Sequence, residues 1–126
     1  MSKHILVVDN SVSTRQLIGA LLREAHYKVT LAEDGKDAMD KCKSTTFDLI
    51  YTDQILPRMD AVSLINSLRG MKRCKRTPIV MLTSGLCDDI KQRGKAAGAT
   101  GWIVKSCLPD VLFNVTHRAL RHVVDT

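Results

Sequence analysis

The sequence predicts an α/β protein, built as a five-stranded parallel sheet with helices on both faces. Five short apolar runs alternate with five helical patterns along 126 residues, a length that suits one domain over residues 1–126. Four of the apolar runs end at a polar residue. Because parallel strands point the same way, their carboxyl ends meet at one edge of the sheet, where ligands of open α/β sheets bind.

The predicted strands are runs rich in aliphatic residues, as expected of strands covered on both faces. In chain order they occupy residues 5–8, 27–32, 49–51, 78–82 and 102–104. The third run reaches Asp53, and Pro57 follows four residues later. Since the interior of a strand does not tolerate proline, we place the end of this strand at Asp53.

The predicted helices begin at recognisable N-terminal signals. The segment Ser13-Thr14-Arg15-Gln16 fits a capping box for the first helix. Apolar residues then follow it at helical spacing: Leu17, Ile18, Leu21, Leu22 and Ala25. Asp60 suits the N-cap of the third helix, and Gly70 its end.

The last two helices carry weaker signals. The fourth, over residues 88–97, has a small apolar face made mainly of Ile90, Ala96 and Ala97, so we expect it to be held loosely. Pro109 and Asp110 suit the first turn of the fifth helix. Its predicted buried face consists of Leu112, Val115, Ala119 and Val123.

Composition narrows the class of protein. No apolar run is long enough to span a bilayer and no signal peptide opens the chain, so we expect a cytoplasmic protein without membrane insertion. The four cysteines are scattered and form no C-x-x-C pair, which argues against zinc or a disulfide framework and suits a reducing compartment.

The formal charge of +6 raises the question of a nucleic acid or an acidic partner. The densest basic run, Lys72-Arg73-Cys74-Lys75-Arg76, lies between a helical pattern and a strand pattern. No aromatic residue interleaves with it and no nucleic-acid motif surrounds it. We therefore interpret the run as a solvated loop and disfavour nucleic acid as a partner.

Asp9, Asp53, Thr83 and Lys105 follow or end four predicted strands, so we expect them at one edge of the sheet. A carboxylate can act as a nucleophile toward phosphorus and form an aspartyl phosphate. Such a transfer needs positive charge on the phosphoryl oxygens, which Lys105 and a cation held by carboxylates would supply. Singly, each residue has an ordinary structural role, such as a helix cap or a solvated lysine.

Four blocks of the sequence resemble those of a known protein family. It resembles the receiver domain of two-component response regulators, especially the single-domain, CheY-like chemotaxis type, from about residue 5 to residue 123. The matching blocks are Val7-Val8-Asp9-Asn10-Ser11, Asp48-Leu49-Ile50 leading to Asp53 with Pro57 and Met59-Asp60, Pro78 to Thr83, and Gly101 to Lys105. The resemblance implies a doubly wound, flavodoxin-like (βα)5 fold with strand order 2-1-3-4-5.

The resemblance also implies a function in phosphorelay signalling. Asp53 would take a phosphoryl group from a histidine kinase or phosphotransfer protein, and the domain would then signal by binding a downstream protein. It would not be an enzyme in the ordinary sense, because it catalyses transfer only to its own aspartate. Thr83 and Lys105 would bind the phosphoryl group. Trp102 occupies the place of an aromatic switch residue that moves with Thr83, although a structural aromatic fits equally well.

Mg²⁺ would be the cofactor, with a ligand set of Asp9, Asn10, Asp53 and the backbone carbonyl of Ile55. Asn10 stands where the family usually has a second acid, so we expect weak binding, because Mg²⁺ prefers anionic oxygens. Ala61 replaces a usual glycine. Ser106 replaces a proline that commonly follows a cis bond, so that the loop there is either redrawn or strained.

Two other functions remain open at this point. These departures favour, to some degree, a pseudo-receiver that acts as an interaction module without phosphorylation. A flavin mononucleotide carrier could use the turn at residues 11–14 to bind phosphate. However, Asp9 and Asp53 would repel the phosphate, and no aromatic pair is placed to sandwich a flavin.

Overall fold

Strands and helices alternate along the chain as predicted. The computed structural model describes residues 2–85 and 88–124, with side chains described up to residue 121. The strands are β1 (His4–Val8), β2 (Lys28–Ala32), β3 (Leu49–Asp53), β4 (Ile79–Thr83) and β5 (Gly101–Val104). The helices are α1 (Val12–Glu24), α2 (Gly35–Ser44), α3 (Ala61–Arg69), α4 (Asp88–Ala97) and α5 (Leu112–Val124). Among the described residues, every helix is too short or too polar to cross a bilayer.

The five strands form one parallel sheet in the order β2-β1-β3-β4-β5, which confirms the predicted architecture. Val8 of β1 is paired with Thr52 of β3, so the residues that follow them, Asp9 and Asp53, lie side by side. Thr83 of β4 is paired with Val104 of β5, the residue before Lys105. The register therefore brings the predicted site residues to one edge.

Alternating strand side chains build two separate cores. In β3, Ile50 lies in the core covered by α2 and α3, whereas Leu49 and Tyr51 lie in the core covered by α1 and α5. Because both faces are covered, the central strands are buried along their whole apolar length. The Tyr51 hydroxyl is 2.6 Å from the Thr116 hydroxyl, a buried hydrogen bond that joins β3 to α5.

The predicted capping box of α1 is wrong. The N-cap is Ser11 rather than Ser13, and its hydroxyl accepts a hydrogen bond from the Thr14 backbone N–H at 3.3 Å. Ile18 and Leu22 face the core as predicted, but Leu17 is 46% exposed. One residue along a helix turns a side chain by about 100°, so a neighbour of a core residue can point to solvent.

The predicted cap of α3 is confirmed, because the Asp60 carboxylate accepts a hydrogen bond from the Ser63 N–H at 2.9 Å. At the other end of α3, the Arg69 guanidinium donates to the backbone carbonyls of Gly98 at 2.7 Å, Cys74 at 2.6 Å and Thr77 at 2.7 Å. Arg69 thus joins the loop that follows α3 to the end of α4, 29 residues later.

The buried face of α4 differs from the predicted one. Ala97 is buried, but Ala96 is exposed and Ile90 is only partly buried. Gly94 is the other buried residue, and a side chain added there would collide with Met81 of β4. The glycine therefore allows α4 to pack closely on β4. Counting the apolar residues on one face of a helix does not reveal such a contact.

The start and face of α5 also differ from prediction. A 3-10 turn at Lys105–Cys107 precedes it, and the helix begins at Leu112 rather than near residue 109. Leu112 is buried, while Val115 and Ala119 are half-buried. Among the described side chains of α5, Thr116 and Leu120 are the other buried positions, and the Thr116 hydroxyl has a buried partner. The predicted Val123 lies outside the described side chains.

Candidate functional site

The ammonium of Lys105 lies between two carboxylates at the carboxyl edge of the sheet. Its Nζ is 3.2 Å from Asp9 Oδ2 and 3.1 Å from Asp53 Oδ2. Lys105 follows β5, whereas Asp9 follows β1 and Asp53 ends β3. The side chain of Lys105 therefore reaches past β4. The structure thus brings together three of the residues that the sequence predicts for the site.

Asp9 is fully buried and held in place by several hydrogen bonds. Its backbone N–H donates to the Ala32 carbonyl at 3.1 Å, and its own carbonyl accepts from Arg15 Nη1 at 2.6 Å. Its Oδ1 accepts from the Ser11 N–H at 2.8 Å. Oδ2 has no hydrogen-bond partner, so its contact with Lys105 is ionic rather than an aligned hydrogen bond.

Asp53 is the more accessible of the two acids, with 13% of its side chain exposed. Its Oδ1 accepts a long hydrogen bond from the Ile55 N–H at 3.4 Å. Burial and the nearby charge of Asp9 raise the pKa of Asp53 above its ordinary value, and this outweighs the opposing effect of Lys105. The pocket thus penalises two adjacent negative charges.

The same contacts act in the opposite direction on the cation. Burial alone would lower the pKa of Lys105, but its interactions with Asp53, and then with Asp9, outweigh burial and raise that pKa. The ammonium therefore stays charged beside the two acids. A fixed positive charge at this point is suited to the oxygens of an anionic group attached to Asp53.

Thr83 is the fourth predicted residue, and it ends β4 with 3% of its surface exposed. Within the described part of the chain, two buried polar side-chain atoms have no hydrogen-bond partner: Thr83 Oγ1 and Asp9 Oδ2. Both belong to this site. Because folded proteins satisfy nearly all buried polar groups, the unpartnered Thr83 hydroxyl is unusual, whereas Asp9 Oδ2 is compensated by its ion pair with Lys105.

The remaining predicted ligand positions border the acid pair. Asn10 follows Asp9 and is exposed, and Ile55 is 67% exposed beside Asp53. Among the side chains that the structure describes, no group of three His, Cys, Asp or Glu could hold a metal ion. Any divalent ion here would therefore depend on two carboxylates together with neutral oxygens.

The loop that follows Lys105 is redrawn where Ser106 replaces a proline. Among the described residues, the cis peptide bond is between Leu108 and Pro109, and the bond before Ser106 is trans. Of the two possibilities raised by Ser106, the structure has the redrawn loop.

Trp102 lies on β5 and is half-buried against the core formed with α3. The Nζ of Lys91 on α4 is 5.3 Å from the centroid of its ring, a cation–π contact between α4 and β5. Trp102 thus connects the sheet to the face of α4.

Arg15 is a site residue that the sequence analysis missed. Its guanidinium holds the Asp9 carbonyl from the first turn of α1. The incorrect placement of the α1 cap on Ser13 hid this residue. With the cap on Ser11, Arg15 lies four residues on, and its side chain can reach the end of β1.

Comparisons with known proteins agree with this geometry. The response regulator receiver domain family matches residues 5–117. The gliding motility regulatory protein of Myxococcus xanthus is 37% identical over 101 residues, which cover 80% of this chain but 13% of that protein. The first curated relatives are thus several times longer than this chain.

Two solved structures are similar along almost their whole length. The chemotaxis response regulator CheY4 of Vibrio cholerae has a TM-score of 0.91 and 38% identity, with 95% of this chain and 100% of that chain covered. The receiver domain of the sensor histidine kinase PA1611 of Pseudomonas aeruginosa, whose active-site cleft coordinates a magnesium ion, has a TM-score of 0.83 and 26% identity, with coverage of 96% and 97%. The chain belongs to the response regulator receiver domains, which act in two-component phosphorelays.

Proposed function

We propose that Asp53 is the phosphoryl acceptor of this receiver domain. A carboxylate oxygen of Asp53 attacks the phosphorus of a phosphohistidine, a P–O bond forms, the P–N bond breaks, and the histidine leaves. The single observation that carries the proposal is the position of Lys105, 3.1 Å from Asp53 Oδ2. The protein supplies the groups for transfer to its own aspartate.

Three residues have distinct roles in this proposal. Lys105 neutralises charge on the transferred group, in line with a pKa that its acidic neighbours raise. Thr83 donates its unpartnered hydroxyl to a phosphoryl oxygen. Arg15 and Ser11 hold Asp9, so that its Oδ2 points to the site.

The oxygen ligands present here fit Mg²⁺. They carry one negative charge fewer than a site with two acids in addition to Asp53. Asp9 Oδ2 is an unsatisfied buried oxygen, and Asp53, the Asn10 amide and the Ile55 carbonyl are the other oxygens proposed as ligands. Bound Mg²⁺ would supply positive charge to the phosphoryl oxygens. The magnesium ion in the PA1611 receiver domain supports this assignment. We expect weak binding because Asn10 brings no charge.

The proposed partners are a histidine kinase or phosphotransfer protein as donor, and a downstream protein as target. We propose that a phosphoryl group on Asp53 draws the Thr83 hydroxyl toward it and that Trp102 then changes position. Its cation–π contact with Lys91 would pass that change to α4. The face formed by α4, β5 and α5 would thereby change for the target.

The phosphorylation-dependent function is preferred to the pseudo-receiver. A pseudo-receiver has no need for an acid pair with a lysine between its carboxylates, or for an unsatisfied Thr83 hydroxyl. The comparisons bring no observation that favours the pseudo-receiver.

Beryllofluoride, which mimics a phosphoryl group on a carboxylate, tests the proposal. With Mg²⁺ present, it should change the fluorescence of Trp102, the single tryptophan, and the change should saturate. Asp53→Asn should abolish the change, whereas Asp40→Asn, an exposed acid on α2, should keep it. A response that survives Asp53→Asn would place the acceptor elsewhere.

A further inference from the structure

A dense group of positive charges lies at the opposite end of the sheet from Asp53. The segment between α3 and β4, Lys72–Arg76, here named the basic loop, carries Lys72, Arg73, Lys75 and Arg76, all exposed. Cys74 in its centre is buried with 3% exposure. The loop precedes β4, so it belongs to the amino edge of the sheet, away from the phosphoryl site.

The backbone of the basic loop is fixed rather than merely solvated. Arg69 donates to the carbonyls of Cys74 at 2.6 Å and Thr77 at 2.7 Å. The Thr77 hydroxyl donates to the Arg73 carbonyl at 3.2 Å, and residues 72–74 form a 3-10 turn. With its backbone held, the loop loses less conformational entropy when a partner binds to its side chains.

Residues of the basic loop line two adjoining concavities, which share Lys72 and Lys75. One, of about 340 Å³, extends toward β3 along Thr46 to Asp48. The other, of about 410 Å³, extends toward the end of α3 along residues 69–71. Both concavities, here together named the depression, are therefore bordered by the same two lysines.

The charges of this depression are largely unopposed. In the described part of the chain, none of the four exposed cations forms a salt bridge. Among the residues that the structure describes, Asp48 is the one carboxylate that lines the two concavities, and its Oδ2 already accepts a hydrogen bond from the His4 N–H at 2.7 Å. The surface therefore favours an anionic partner.

We propose that the depression along the basic loop docks an acidic segment of a partner protein, independently of phosphorylation. Arg73 and Arg76 can each bind a carboxylate in a bidentate manner, which favours Asp and Glu side chains. A single-stranded nucleic acid would need exposed aromatic residues for stacking, and none lines the depression, where Phe47 is 4% exposed. A five-residue strand separates this edge from Asp53, about 16 Å along the sheet.

Binding of a short fluorescent peptide of alternating Glu and Gly to the unphosphorylated protein tests the proposal. Arg73→Gln/Arg76→Gln should weaken binding about tenfold, since bonds between charged groups are lost. The matched control, Arg118→Gln/Arg121→Gln, removes the same charge from exposed arginines on α5 and should bind as the native protein does. Arg73→Lys/Arg76→Lys keeps the charge but loses the bidentate contacts, so its affinity should lie between those of the native protein and the Gln variant.

Three outcomes would overturn the proposal. Equal weakening in the α5 control would mean that net charge alone attracts the peptide. A single-stranded RNA of equal charge that bound more tightly, and lost binding in the basic-loop variant, would make the surface a nucleic-acid site. Affinity that changed with beryllofluoride and Mg²⁺ would contradict independence from the phosphoryl site. The proposed function of Asp53 is unaffected by any result with the α5 control.

Discussion

Arg15 Nη1 donates a hydrogen bond to the backbone carbonyl of Asp9 at 2.6 Å. This bond joins the first turn of α1 to the end of β1. The Asp9 carboxylate is buried, and a hydrogen bond from the same turn orients it. Arg15 therefore positions Asp9 through the backbone of Asp9 rather than through its carboxylate. The position of Asp9 Oδ2, which faces Lys105, thus depends on a residue outside the acid cluster.

We expect Arg15→Met to lower the free energy of unfolding by about 1–3 kcal/mol, because loss of the charged donor leaves a buried carbonyl unpaired. The affinity for Mg²⁺ should fall as well, since Asp9 is no longer held. Thermal unfolding and a Mg²⁺ titration followed by Trp102 fluorescence would measure both. Arg23→Met is the control on the same helix, where the arginine makes only a 3.4 Å bond to Val29 O. Equal losses in both variants would contradict a positioning role.

We expect Asp53→Asn to raise the melting temperature of the metal-free protein at neutral pH. Burial and Asp9 raise the pKa of Asp53 above 3.8, so its ionised form opposes folding at any pH above that raised pKa. As pH falls through the raised pKa toward 3.8, the penalty disappears, and the advantage of the variant should shrink. Asp40→Asn, with its exposed ion pair to Lys43, should have little effect. A destabilised Asp53→Asn would mean that attraction to Lys105 outweighs the repulsion.

We expect Asn10→Asp to tighten Mg²⁺ binding, speed phosphorylation of Asp53 and lower the metal-free melting temperature together. A third carboxylate attracts the divalent ion but repels Asp9 and Asp53 when the ion is absent. Calorimetry with Mg²⁺ and thermal unfolding would measure the first and third effects. Asn66→Asp on α3 adds the same charge at an exposed position away from the site. If native protein already bound Mg²⁺ as tightly as the variant, Asn10 would not be a ligand.

We expect the aspartyl phosphate to hydrolyse slowly. Ile55 and Gly85, both exposed at the edge of the site, offer no polar side chain to orient an attacking water. Ile55→Asn should raise the hydrolysis rate about tenfold or more, while Ile55→Leu should leave it unchanged. Loss of phosphate from the phosphorylated protein over time measures the rate. Native protein that lost its phosphate within seconds would require another group to orient the water.

The fold and the acid cluster were predictable because local signals and sheet geometry agree. Asp9, Asp53 and Lys105 each follow or end a buried apolar run, and parallel strands carry such residues to one edge. The strand order itself came from the resemblance, since periodicity does not say which strands are neighbours. The distances among these side chains depend on the packed structure.

The errors came from tertiary interactions. Thr116 was missed as a buried position of α5, because its hydroxyl bonds Tyr51, 65 residues earlier in the chain. Arg69 was missed because it bonds Gly98 O, 29 residues later. In both cases a polar side chain is satisfied by a distant partner, and apolar periodicity carries no information on such partners.

Phosphorylation by a small-molecule phosphodonor, followed by intact-protein mass spectrometry, tests the central claim most directly. With Mg²⁺ present, the native protein should gain one phosphoryl group. Asp40→Asn should gain the same group, and Asp53→Asn should gain none, because the nucleophilic carboxylate is lost. Continued labelling of Asp53→Asn, or no labelling of the native protein at saturating Mg²⁺ and donor, would contradict the assignment of Asp53 as the acceptor.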